Sequence, residues 1–127
     1  MKKEYIVYEG PEFTIEWYYN SNGKSSAKEY FDDLDTDRQT DAFELFMAMA
    51  HVGKILNIQK FRHEGDSIYA FKPKPDRFLC FFFSGKKIII TNAFVKKQDK
   101  LPPSEKRKAQ EYQEDYKTRS KKGEYYE

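Results

Sequence analysis

The chain predicts an α+β single domain: a small, antiparallel-rich sheet of about four strands, two N-terminal helices packed on it, and a C-terminal helix. Three observations carry this expectation. From residue 58 to residue 95 the sequence is a succession of short β-branched and aromatic runs broken by Pro and Gly. From residue 25 to residue 52 apolar residues recur at helical spacing. After Pro102-Pro103 a charged stretch resumes that spacing more sparsely. The 127 residues suit one domain with a single core, and 11 Phe, 10 Tyr and one Trp supply much of its bulk.

Residues 13–19 (FTIEWYY) are rich in β-branched and aromatic side chains and predict a strand. The first 12 residues, with YIVY, predict either a short strand or a loose arm. Asn20-Ser21-Asn22-Gly23 has turn composition. Ser25 or Ser26 can cap a first helix carrying Ala27, Tyr30, Phe31 and Leu34 on one face. Thr36 through Gln39 matches a capping box and starts a second helix that runs to about Val52, with Gly53 as its C-cap. Its stripe is Ala42, Leu45, Phe46, Met49 and Val52, widened by Phe43 and Met47.

Short strands are expected over 58–62 and 68–72, the second stopped by Pro73 and Pro75 because proline cannot donate to a ladder. Residues 77–83 and 87–95 form a hairpin around Ser84-Gly85. Runs such as LCFFF and IIIT are apolar on both faces, which places this hairpin centrally. Ser104 is the expected cap of the last helix, whose thin stripe is Ala109, Tyr112 and Tyr116. Residues 118–127 have the composition of a frayed tail.

Charge is distributed unevenly. Residues 1–59 hold 6 Lys/Arg against 11 Asp/Glu, and residues 60–127 hold 17 against 10, so a net charge of +2 conceals halves of −5 and +7. The basic half points to an acidic partner, above all nucleic acid. Its cations bracket the hairpin at Lys72, Lys74, Arg77, Lys86, Lys87, Lys96, Lys97 and Lys100. Such groups hold phosphates and neutralise charge on an attacked phosphodiester, and RNA supplies its own 2′-hydroxyl nucleophile. Crowding among lysines can also lower the pKa of one of them, giving a proton donor or acceptor. Strand alternation puts Ile68, Ala70 and Lys72 on one face and pairs Phe94 with Lys96; convergence of Lys72, Arg77 and Lys96 depends on register. Lys74, Lys86 and Lys87, at turns, read as solubilising charges.

Other chemistries are poorly supported. His51 and His63 are the only histidines, Cys80 the only cysteine, and no metal-ligand spacing, Walker loop or G-x-S-x-G motif is present. His63 lies near the basic strands and could reach a substrate, and Cys80 reads as a small buried hydrophobe. The carboxylates concentrate in the first-half helices, where capping and solubility account for them. No cofactor or metal is expected. No run approaches the ~20 apolar residues of a membrane span and no signal peptide is recognisable, so a cytoplasmic location is expected.

The residues KF (60–61), IYAFK (68–72), RFLCFFF (77–83) and NAFVKKQDKLP (92–102), followed by Ala109, resemble in order and separation the RelE/HigB superfamily of bacterial toxins, phage-derived branch. The resemblance spans roughly residues 13–117 and implies a RelE-like fold. It further implies the toxin of a type II toxin–antitoxin system: a ribosome-associated endoribonuclease (mRNA interferase) that cleaves mRNA. The implied partners are mRNA on the ribosome and a cognate antitoxin with a helix-turn-helix. Arg77 matches the arginine that opens the central strand, and Lys96 and Lys97 match an F-x-K-K pair. Lys72 stands where the family usually has arginine, and this chain reads TNAF where a common version has L-H-G-F. The implied catalytic residues are Lys72, Arg77, Lys96 and Lys97, with Lys60, Arg62 and Lys100 as RNA-binding residues. A non-catalytic RNA- or protein-binding module of phage origin is the alternative, as is an interaction scaffold using the second helix.

Overall fold

The computed structural model describes residues 3–126. Its elements are β1 (Ile6–Glu9), β2 (Thr14–Trp17), α1 (Ser26–Asp32), α2 (Thr36–Val52), β3 (Phe61–His63), β4 (Tyr69–Phe71), β5 (Asp76–Phe83), β6 (Lys87–Val95) and α3 (Pro103–Lys121). One six-stranded sheet runs β1-β2-β6-β5-β4-β3, antiparallel except for the β2–β6 pair, which is parallel. The expected α+β class holds for this single domain, but six strands replace the expected four. The outer strands make the difference: the N-terminal YIVY segment, read as either a short strand or an arm, pairs with β2, and the short strand expected over 58–62 forms at 61–63 because residues 58–60 are a turn.

The sheet is covered on both faces. Alternation in β5 sends Phe78 and Cys80 to one side, with Ile88 and Ile90 of β6, against Phe46 and Met49 of α2. Leu79, Phe81 and Ile89 point to the other side, against Ala109 and Tyr116 of α3. This two-sided burial is why LCFFF and IIIT are apolar without a break. Cys80 is fully buried in the first layer, where burial pushes its thiol pKa up.

Caps differ in detail from the expected ones. The Ser25 side chain accepts from Lys28 N, as a hydroxyl cap should. Asp35, not Thr36, caps α2, because its carboxylate reaches Arg38 N at 2.9 Å. Helix α3 starts one residue before Ser104; proline at its first position lacks an N–H, and no side chain caps it. Gly53 ends α2 with φ of +85°, the left-handed conformation glycine adopts at least cost. Of the expected α2 stripe, Ala42, Phe46 and Met49 are buried, whereas Val52 remains 63% exposed. Gly10, in the β1–β2 turn, is required by space: a Cβ there would sit 2.5 Å from Ala50 O.

Of the tail expected over 118–127, residues 118–126 are not frayed, and residue 127 lies outside the described residues. Helix α3 continues to Lys121, and the chain then folds back so that Tyr125 is 1% exposed. Tyr19 N donates to Tyr125 Oη at 2.8 Å, Tyr5 Oη donates to Tyr125 O at 3.1 Å, and the Arg119 guanidinium lies over the ring. The thin stripe of α3 is thereby completed by two tyrosines from beyond its own end, Tyr125 and Tyr126.

Candidate functional site: a cationic groove on the open end of the sheet

Helix α3 crosses only part of its face of the sheet. Beyond its first turn, the ends of β3, β4, β5 and β6 form a shallow groove lined by Arg62, Glu64, Lys72, Arg77, Lys96, Lys97, Asp99 and Lys100, floored by Ala70, Leu79 and Phe94. Lys72, Arg77 and Lys96 come from three different segments, and register brings them together. Arg62 pairs with Ala70 and Ala70 with Leu79, so Arg62, Lys72 and Arg77 share the α3 face.

Strand β6 joins them through a β-bulge. Leu79 pairs with Asn92 but Cys80 pairs with Ile90, leaving Thr91 as the extra residue. The buried Thr91 hydroxyl lies 3.1 Å from Leu79 O and 2.7 Å from Asn92 Oδ1. The bulge reverses side-chain parity along β6. Ile89 faces α3 before it, and Asn92 and Phe94 face α3 after it, opposite Leu79 and Arg77. Lys96 follows two residues on, with its N–H donating to Pro75 O at 2.8 Å. Asn92 Nδ2 donates to Glu105 Oε1 at 3.0 Å and Glu105 O at 3.2 Å, pinning the first turn of α3 beside the groove.

The groove's charges are only partly compensated. Arg77 is 9% exposed and its guanidinium donates to Asp76 O at 3.0 Å; burial lowers its pKa, against the pull of Glu64, Asp76 and Asp99. The Lys72 ammonium donates to Ile58 O at 3.0 Å, and its pKa is lowered by burial first, then by Arg77, Arg62 and Lys96, with Glu64 opposing. Lys96 pairs with Asp99 at 2.9 Å, and this lysine, then Arg77 and Lys72, holds the Asp99 carboxyl below the usual carboxylate range.

Behind the groove stands a clamp that sequence reading did not find. Asp76, fully buried on the opposite face, accepts from Arg38 Nε at 3.0 Å, from Arg38 Nη2 and from the Tyr30 hydroxyl. Two helices therefore fix the residue that precedes Arg77. Its two partners, Tyr30 and Arg38, lie 46 and 38 residues away in sequence, and no local spacing signals them. Glu64 and Asp99 were also missed, because the carboxylates of the basic half stand out in no motif.

Other expected residues fall elsewhere. Lys60 lies outside this groove, lining a neighbouring one with Asp41, Glu44 and Lys72, the last of which borders both, and its carbonyl accepts from Lys72 N at 2.8 Å. His63 stacks on Tyr69, with ring centroids 4.6 Å apart, on the face away from the groove. His51 meets the Tyr8 hydroxyl at 2.6 Å. Lys87 sits at the far end of the hairpin, over the Tyr126 ring and 3.7 Å from Glu16. Among the described residues no group of three or more His, Cys, Asp or Glu could hold a metal ion, and no helix is long and apolar enough to cross a membrane.

No curated protein matches the sequence. The family model for phage-derived Gp49-like proteins (DUF891) matches residues 29–114, which take in most of α1, all of α2, β3 to β6 and the first part of α3, and with them the whole groove. The chain therefore belongs to the phage-derived Gp49-like protein family.

Proposed function

We propose that this protein is a RelE/HigB-type toxin, an endoribonuclease that cleaves mRNA on the ribosome in the cytoplasm and is restrained by a cognate antitoxin. The observation that carries this reading is the convergence of Lys72, Arg77 and Lys96 on one groove, with Arg62, Lys97 and Lys100 at its margin. Membership in a phage-derived family agrees with the same reading.

The groove suits phosphodiester cleavage by the RNA's own 2′-hydroxyl. Arg77, held rigidly by its buried setting, presents a planar fork to the non-bridging phosphate oxygens. Lys96 adds a point charge for the negative charge that develops as the 2′-oxygen attacks. Lys72 holds its proton less firmly than an ordinary lysine and donates it to the departing 5′-oxygen. The antitoxin needs an apolar surface to grip, and Val52 at the end of α2 with Leu56 and Ile58 beyond it supply one, being 63%, 81% and 61% exposed.

Expression in a bacterial host tests the reading. The native chain should arrest growth and deplete translated mRNA. Arg77→Ala combined with Lys96→Ala should restore growth while the purified double variant keeps its circular dichroism and cooperative melting. Growth arrest that persists in the folded double variant places the active site elsewhere. High-yield, harmless expression of the native chain, with RNA bound but uncut, would support the non-catalytic RNA-binding module instead.

A further inference from the structure

The cationic groove contains a carboxylate that neither capping nor solubility explains. Glu64 follows β3 directly and opens the tight turn, residues 64–67, that leads into β4. Its N–H donates to Ile68 O at 2.7 Å, and Ile68 N donates to Gly65 O at 3.0 Å. The next three residues, Gly65, Asp66 and Ser67, have φ of +92°, +53° and +63°. Three left-handed residues in succession, two of them with side chains, are held only where the surroundings enforce them, and such strain gathers at functional turns. One contact reaches the turn from α3, where Lys106 Nζ lies 2.9 Å from Asp66 Oδ2.

The turn leaves Glu64 half-buried in the groove, near Lys72 and Arg77. It forms no ion pair among the described residues, whereas the groove's other carboxylate, Asp99, is fully exposed and bound to Lys96. Burial lowers the pKa of both Arg77 and Lys72, and Glu64 opposes that lowering at each. A carboxylate close to a phosphate site weakens anion binding, so its place in this groove points to a role other than binding.

We propose that Glu64 is the general base of RNA cleavage in this groove, an inference that rests on the ribonuclease reading above. The Glu64 carboxylate takes the proton of the 2′-hydroxyl, and the 2′-oxygen forms a bond to phosphorus. The P–O5′ bond breaks, and the 5′-oxygen takes a proton from the Lys72 ammonium. The products are a 2′,3′-cyclic phosphate and a 5′-hydroxyl, with Glu64 protonated and Lys72 neutral. Exchange of one proton with solvent restores both groups.

The test uses the full chain on programmed ribosomes, with single-turnover cleavage measured at the message position the native protein cuts. Binding is measured separately with a message carrying a 2′-deoxy nucleotide there, which cannot be cut. Glu64→Gln, an isosteric change, should slow cleavage about 100-fold or more while binding stays equal or becomes tighter. Glu64→Asp should recover part of the rate, which separates loss of a base from loss of fold. On a message with sulfur in place of the bridging 5′-oxygen, a leaving group that needs no proton, the Glu64→Gln defect should persist while that of Lys72→Met is relieved. Cleavage by Glu64→Gln within about threefold of native would overturn the assignment and leave the ribonuclease reading standing. Relief of its defect by the sulfur substitution would also overturn it, by making Glu64 the acid. If the native chain leaves the message uncut, the ribonuclease reading fails and the role of Glu64 fails with it.

Discussion

Lys72 is the residue on which the proposed chemistry turns most directly. It stands at the end of β4, half-buried, with Arg77, Arg62 and Lys96 disfavouring its charge and Glu64 favouring it. Arginine at this position would keep the charge and lose the chemistry, because a guanidinium stays protonated throughout the accessible pH range. The sign of the pH effect follows. As a proton donor Lys72 works in its ammonium form, so the rate should fall as pH rises through its lowered pKa. Lys72→Arg should abolish that alkaline limb and reduce the rate about 10- to 100-fold, with phosphate binding preserved. Paired pH–rate profiles of native and variant check this; an alkaline limb unchanged in the variant assigns the donor to another group. The cations of the site were legible in the sequence because lysines and arginines at the ends of apolar strands are conspicuous. Their carboxylate neighbours were not. Glu64 follows a three-residue strand and Asp76 is clamped by Arg38 and Tyr30 across the sheet, relations that exist only after folding.

At the scale of elements, the sequence revealed what is local and concealed what is paired. Ser25 caps α1 and Gly53 ends α2 because each acts on backbone groups within a few residues. The hairpin of β5 and β6 was equally visible, since its apolar runs flank Ser84 and Gly85, the latter with φ of +83°. By contrast, the bulge at Thr91 carries no Gly or Pro to mark it, yet it decides that Lys96 shares a face with Arg77. The parallel pairing of β2 with β6 joins segments more than seventy residues apart and leaves no trace in either. The C-terminal turn was misjudged for a related reason. Its charged composition resembles a free end, and only the tertiary structure shows Tyr125 filling the layer beneath α3. Tyr125→Ala removes a fully buried ring, the hydrogen bond from Tyr19 N and the seat of Arg119. It should cost about 3–5 kcal/mol of stability. Urea denaturation measures this directly, and a loss below about 1 kcal/mol would mean that the end of the chain contributes little to the second core layer.

Taken whole, the molecule separates its charge by layer. The acidic first half supplies α1 and α2 on one face, whereas the cations of the second half gather where α3 leaves the other face open. On the proposed reading, this arrangement would orient a polyanion toward the groove and away from the acidic helices. It also separates the RNA-binding readings from a scaffold that works through the apolar surface near Val52, Leu56 and Ile58. Binding of single-stranded RNA by neutralising Z phosphates gives log–log salt slopes of about −0.7Z. With Lys72, Arg77, Lys96 and Lys100 each meeting one phosphate, the slope should be about −3. Arg77→Ala with Lys96→Ala should bring it to about −1.4, because two of four contacts are lost. Lys87→Ala, which touches Glu16 and Tyr126 at the far end of the sheet, should leave the slope unchanged. Fluorescence anisotropy of an uncleavable RNA across a salt series checks all three values. If Lys87→Ala flattens the slope as much as the double variant does, RNA is held by diffuse surface charge and not by the groove. If tight association is indifferent to salt, the dominant contact is apolar and the surface after α2 takes precedence over the cations.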